Sequence, residues 1–225
     1  MQMVVTKERK NGLPDYTRGE ELFHMVSHIV GGVLGILVLI SCVLISALRG
    51  DAYGIVGGSV YGGTLITLYT ISSVYHGLTP STAKRVMRVL DHCAIYFLIS
   101  GTYTPILFTA IRKENPVVCW VLFGLVWGLT ALAVTLTAVN MKKYSVFSMI
   151  CYIVMGWCIA LAPKVALAAI PVKGLILLLA GGIAYTIGAV IYGIGKKHKY
   201  MHAVFHVFVV VGSLLQFFCI VFYCL

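Results

Sequence analysis

The sequence predicts an all-α membrane protein: a seven-transmembrane helix bundle with its N-terminus cytoplasmic and its C-terminus extracytoplasmic. Three observations carry this reading. The 225 residues are 60% hydrophobic and only 11% charged, where soluble domains run to about a quarter charged. Seven stretches reach the roughly 20 apolar residues that a helix needs to cross a bilayer core. The basic residues collect in alternate loops, the pattern that sets orientation in a membrane.

The spans are expected at 25–48, 53–76, 92–111, 117–139, 145–162, 172–193 and 203–225. They leave residues 1–24 as a cytoplasmic N-terminal segment and 25–225 as one seven-span domain. Each run is too long and too continuously apolar for a ten-residue barrel strand, so the spans are helices. The first follows a polar, basic stretch with no apolar h-region, so no cleavable signal peptide is expected and the span is its own insertion signal. Gly31 with Gly35 in the first span, Gly58 with Gly62 in the second, and Gly124 with Gly128 in the fourth have the small-xxx-small spacing of close helix contact. Pro105 removes a backbone hydrogen bond from the third span and kinks it. Pro116 suits the start of the fourth span and Pro163 the end of the fifth, which is the weakest of the seven. Connections are short, so neighbouring helices pack antiparallel.

Lys7, Arg9, Lys10, Arg18, Lys84, Arg85, Arg88, Lys142, Lys143, Lys196, Lys197 and Lys199 fall on one side. Arg49, Arg112, Lys113, Lys164 and Lys173 fall on the other. Twelve against five puts the first side in the cytoplasm. The formal charge of +10 therefore reads as positive-inside loops attracted to anionic lipid headgroups. No basic cluster interleaved with aromatics points to nucleic acid, so the expected partners are membrane lipids. The seven cysteines lie almost wholly within spans and form no CxxC, so they are small apolar filler rather than a disulfide framework or metal set. Cys93 is read as packing for the same reason.

With this topology the scattered polar residues gather at one level. His76 ends the second span on the cytoplasmic side, Asp91 opens the third there, and His202 opens the seventh. Glu20, Glu21, His24 and His28 join them at the start of the first. Ionisable residues within spans are costly and mark functional sites. His202 and His206, four apart, share one helix face, and His76 adds a third imidazole from another helix. Three imidazoles with an open fourth position are the ligand set of a catalytic zinc, although they also suit other transition metals. Asp91 would then act on the attacking water. Ser72, one turn before His76, could hold water, substrate or a ligand's second nitrogen. His24 and His28, also four apart, form a rival pair within the first span. His198, between Lys197 and Lys199, reads as solvated loop. Each residue also has a structural explanation, from interfacial histidine to helix-capping aspartate.

The segments GEELFHMVSHIVG at 19–32, SSVYHGL at 72–78, RVLDHCAIYFLISGTYTP at 88–105 and MHAVFHVFVVVGSLLQFF at 201–218 resemble the bacterial hemolysin III family of the progestin and adipoQ receptor superfamily. The resemblance runs over essentially the whole chain. It implies that His76, His202 and His206 bind zinc, with Asp91 on the zinc-bound water and Ser72 completing the site. Glu21 and His28 match the first motif, and His24 stands where the family commonly has Asn. The superfamily is similar in turn to alkaline ceramidases, which are membrane hydrolases of lipid amides, and it implies a bacterial cell membrane. Three functions compete: a zinc-dependent hydrolase of a lipid amide or ester at the inner leaflet, a non-enzymatic membrane-homeostasis sensor with structural zinc, and cytolysis. A pore within one chain is disfavoured by the almost wholly apolar outer halves of the spans.

Overall fold

The structure is a computed structural model that describes residues 12–195 and 198–225. Lys7, Arg9, Lys10, Lys196 and Lys197 of the charge pattern, and residues 1–11 of the N-terminal segment, lie outside the described residues.

Among the described residues the architecture is helical. Helix α1 is Arg18–Leu48 and α2 is Ala52–Gly77. Helix α3, Thr82–Pro105, runs on through a π-helical stretch, Ile106–Ile111, to Glu114. Helix α4 is Pro116–Asn140 and α5 is Ser145–Gly156. A 3₁₀ turn, Cys158–Leu161, leads to α6, Pro163–Ala169. Helix α7 is Val172–Ile194, and α8, Met201–Cys219, ends in a π turn at Ile220–Cys224.

Six of these helices are long and apolar enough to cross a membrane, and the chain is a multi-pass membrane protein. The predicted fifth span differs. Its helix stops at Gly156 after 12 residues, about 18 Å of rise against a core of about 30 Å. Composition shows the run as continuous, but Trp157 leaves helical geometry. Pro163, expected to end the span, instead takes the first position of α6, where its missing N–H costs nothing.

Helix boundaries follow their caps. Thr17 and Glu20 form a reciprocal capping box, which starts α1 at Arg18, ahead of residue 25. Gly50, at φ +66°, takes the left-handed conformation that ends this helix. Ser81 caps α3, so Asp91 lies inside that helix rather than at its mouth. Asn115 caps α4, with Pro116 in the first turn as expected.

Helix α3 occupies the middle of the bundle, and every residue from 100 to 111 is buried. The π stretch begins directly after Pro105, the residue predicted to disturb the helix; wider turns of this kind accommodate a broken backbone ladder. The hydroxyls of Thr102, Thr104 and Thr109 donate to carbonyls four residues back. They keep polar groups satisfied where no water competes.

Helices α1 and α2 approach closely. A Cβ on Gly62 would sit 2.6 Å from Leu39 Cα, and one on Gly31 would sit 2.5 Å from the Tyr69 ring. The expected contacts at Gly31, Gly35, Gly58 and Gly62 are therefore present. Gly124 and Gly128 face open space, so the small-xxx-small spacing in α4 marks no helix contact. Gly62→Leu should destabilise the fold by about 1–3 kcal/mol, because the backbone of α1 has to move. Gly124→Ala should be neutral or slightly stabilising, since no atom stands in its way. Thermal unfolding of both variants in detergent micelles tests the pair.

Tyr61, Tyr69 and Tyr185 converge on Ser213 and tie α2, α7 and α8 together beneath the polar end of the bundle.

Candidate metal centre

Five imidazoles meet where α1, α2 and α8 converge. Helix α1 contributes His24 and His28, four residues apart and therefore on one face. Helix α2 contributes His76, and α8 contributes His202 and His206. His24, His28, His76 and His206 are buried. His24, His76 and His202 each present a ring nitrogen, and these atoms lie within 4.8 Å of one another. His202 Nε2 lies 3.0 Å from His206 Nε2. Two of the three histidines read as ligands, His76 and His202, thus belong to this trio, and His206 adjoins it. The third member is His24, which sequence reasoning left in a rival pair.

Outer contacts orient these rings. His76 Nδ1 is 2.7 Å from Glu21 Oε2, and Lys84 Nζ donates to Glu21 Oε1 at 2.6 Å and to the Leu78 carbonyl at 2.9 Å. With a carboxylate as acceptor, Nδ1 carries the proton and Nε2 keeps its lone pair. His76 Nε2 has no hydrogen-bond partner, nor do His24 Nδ1, His24 Nε2 or His202 Nδ1. Buried polar atoms are normally satisfied, and a cluster of orphaned imidazole nitrogens backed by a carboxylate has the donor chemistry of a metal site. The residues present fit a transition metal ion. Ser27 Oγ lies 3.3 Å from His206 Nδ1 and turns Nε2 of that ring toward His202.

The N-terminal segment covers this assembly. Tyr16 stacks on His202 at 5.3 Å with an interplanar angle of 14°, and meets His24 edge-on at 5.0 Å. Burial pushes the Tyr16 phenol well above its ordinary pKa, so it stays protonated. Arg88 donates to the Gly12 carbonyl at 2.7 Å, and Leu13 is buried. Glu20 uses one carboxylate oxygen on Thr17 and the other, at 2.8 Å, on the N–H of Tyr200. Tyr200 takes a left-handed φ of 62°, a conformation uncommon for a bulky residue. The Glu20 contact holds that turn and with it the start of α8, where His202 sits.

Beside the histidines lies a cavity of about 110 Å³. Ser72, Asp91, His28 and His206 line its polar end; Leu98 and Trp157 are among the apolar residues of its wall. Ser72 and Asp91 are both buried. Every residue predicted for the site is therefore at one end of the bundle: Asp91 and Ser72 on the cavity, His76, His202 and His206 in the cluster, Glu21 behind His76, and His28 flat against His206 at 3.7 Å. Cys93 directs its thiol to the Val134 carbonyl of α4, in keeping with a packing role, and His198 is exposed. Sequence reasoning missed Lys84, Tyr16, Ser27 and the second role of Glu20. The capping box of Thr17 and Glu20 was legible in the sequence and marks the start of α1 at Arg18.

The family model described as Haemolysin-III related matches residues 16–217. The chain belongs to that family. The matched region runs from Tyr16 past His206 and holds every residue of the cluster. Among the family's relatives, Hemolysin-3 of Bacillus cereus is 35% identical over 206 residues, covering 92% of each chain. The Hemolysin-3 homolog of Bacillus subtilis (strain 168) is 34% identical over 209 residues, covering 93% of this chain and 96% of its own. The Monocyte to macrophage differentiation factor of Homo sapiens is 25% identical over 189 residues, 81% of this chain and 76% of that one.

Proposed function

We propose that this chain is a metal-dependent hydrolase of a long-chain lipid amide or ester, with zinc as the metal and Asp91 as the general base. One observation carries the reading: buried, orphaned ring nitrogens of histidines from three helices adjoin a largely apolar cavity that contains a buried carboxylate. The cluster around His76 and His202 would hold the ion, which when bound supplies a Lewis acid for an acyl carbonyl and for water. The apolar cavity wall receives the acyl chain and keeps bulk water from the reacting bond. Asp91 takes a proton from the attacking water and returns it to the leaving amine or alcohol as the C–N or C–O bond breaks. Ser72 steadies the carbonyl end of the substrate. Glu21, held by Lys84, orients His76.

The proposal includes seven crossings, with the N-terminus in the cytoplasm of a bacterial plasma membrane and the site at the inner-leaflet level. The seventh crossing would be made by α5, the 3₁₀ turn and α6 together. Support comes from contacts along that segment. Ser148 bonds Thr137 near the end of α4, Tyr152 bonds the His92 carbonyl, and Tyr103, further along α3, bonds both Gly156 and Ile159. The basic loop residues support the orientation.

Metal analysis of purified protein tests the reading. Wild type should carry close to one zinc per chain, and His76→Ala together with His202→Ala should carry almost none. Full retention by the double variant, or a metal-free wild type, would sink it. Membrane sensing with structural zinc is the rival reading, and the crowding of five imidazoles favours it.

A further inference from the structure

We infer that His24 is a fourth imidazole ligand of this centre, so that the resting site is a closed four-histidine tetrahedron rather than three histidines with an open position. The inference rests on the metal-centre reading above and concerns only its ligand set. The rings of His24, His76, His202 and His206 make six pairs. Their centroid separations are 4.6 Å for His24–His76, 4.6 Å for His24–His202, 5.0 Å for His24–His206, 5.3 Å for His76–His202, 5.1 Å for His76–His206 and 4.5 Å for His202–His206. Six nearly equal edges describe a near-regular tetrahedron of rings. Four imidazoles on one tetrahedral ion, with metal–nitrogen bonds of about 2.0–2.1 Å and ring centres about 1.1 Å further out, would stand roughly 5 Å apart.

The state of the His24 side chain supports the same conclusion independently. It is 0% exposed, and neither ring nitrogen has a hydrogen-bond partner. A buried imidazole retained only for packing would be expected to satisfy at least one nitrogen. His28, its neighbour four residues on, is also buried with both ring nitrogens unpartnered, so position rather than orphaned nitrogens separates the two. It lies flat on His206 and meets Tyr69 edge-on at 5.0 Å, backing the tetrahedron as a wall. Sites with four protein ligands are structural, while catalytic ones keep a position for water or substrate. Closure by His24 therefore makes this a latent centre, in which water or a lipid carbonyl gains the metal only after one imidazole leaves.

The test uses the full-length protein in detergent, loaded with Co²⁺, and reads visible absorption with and without azide. Wild type should show intense tetrahedral bands that azide does not shift. His24→Asn should still bind one Co²⁺ per chain, at least tenfold more weakly, and its bands should shift with azide. X-ray absorption of the zinc-loaded wild type should fit four imidazoles. This measurement, which needs no variant, keeps the inference testable if His24→Asn fails to fold. Azide sensitivity in wild type, or a first shell of three imidazoles and one oxygen, overturns the inference and leaves the metal-centre reading standing. Absence of metal binding by wild type overturns both.

Discussion

Asp91→Asn, a near-isosteric change, should retain a full complement of zinc and lower hydrolysis of a long-chain lipid amide by roughly 10²–10⁴-fold, the usual contribution of a positioned general base. The prediction follows from location. Asp91 is buried on the wall of the cavity, next to the imidazole cluster but outside the trio of His24, His76 and His202. Losing it removes a proton acceptor without removing a ligand. Zinc analysis and turnover on the same preparation separate the two effects. If zinc is structural and the protein only senses its membrane, Asp91→Asn will leave the cellular phenotype of wild type intact. If zinc is lost with the carboxylate, Asp91 belongs to the ligand set and the division of roles proposed for it fails.

Glu21→Ala should weaken zinc binding by roughly 10–100-fold, the usual cost of removing the partner behind a metal-bound histidine. It should also destabilise the protein by about 3 kcal/mol. The second effect has a separate origin. Lys84 keeps 5% of its side chain exposed and pairs with Glu21 at 2.6 Å, so deleting the carboxylate strands a buried ammonium. Adding Lys84→Met to Glu21→Ala removes the stranded charge. The double variant should recover most of the lost stability and none of the lost affinity. Unfolding in detergent micelles gives the first quantity, and zinc competition with a chelator gives the second. Recovery of both together would mean that Glu21 acts on the metal only through general stability.

How much was legible in the sequence depended on the range of the interaction. The long apolar runs registered as helices because a bilayer-length stretch of apolar residues has few other uses. Residues 145–162 read as one continuous helix for the same reason: hydropathy sums composition over a window and is blind to one residue, such as Trp157, leaving helical geometry. His76, Asp91, His202 and His206 were found because each is a polar residue near the end of an oily run. In sequence His24 reads only as half of a rival pair within the first span, at a position where the family commonly has Asn, and nothing local ties it to His76 and His202. Lys84 and Glu21 lie 63 positions apart, and Ser27 and His206 lie 179 apart. No periodicity joins such pairs; only the packed bundle does.

The segment from Gly12 to Thr17 has a kinetic consequence. Tyr16 stacks over one histidine of the cluster and abuts another, and the chain leading to it is tied down at Gly12 and Leu13. An ion arriving over this face has to lift an aromatic ring before it meets a nitrogen, and a departing ion has to do the same. For a bound ion the cover would act equally on entry and exit, so it would set the residence time and leave the equilibrium constant to the imidazoles. Such a centre would acquire its ion slowly and hold it through brief excursions of the metal supply around it.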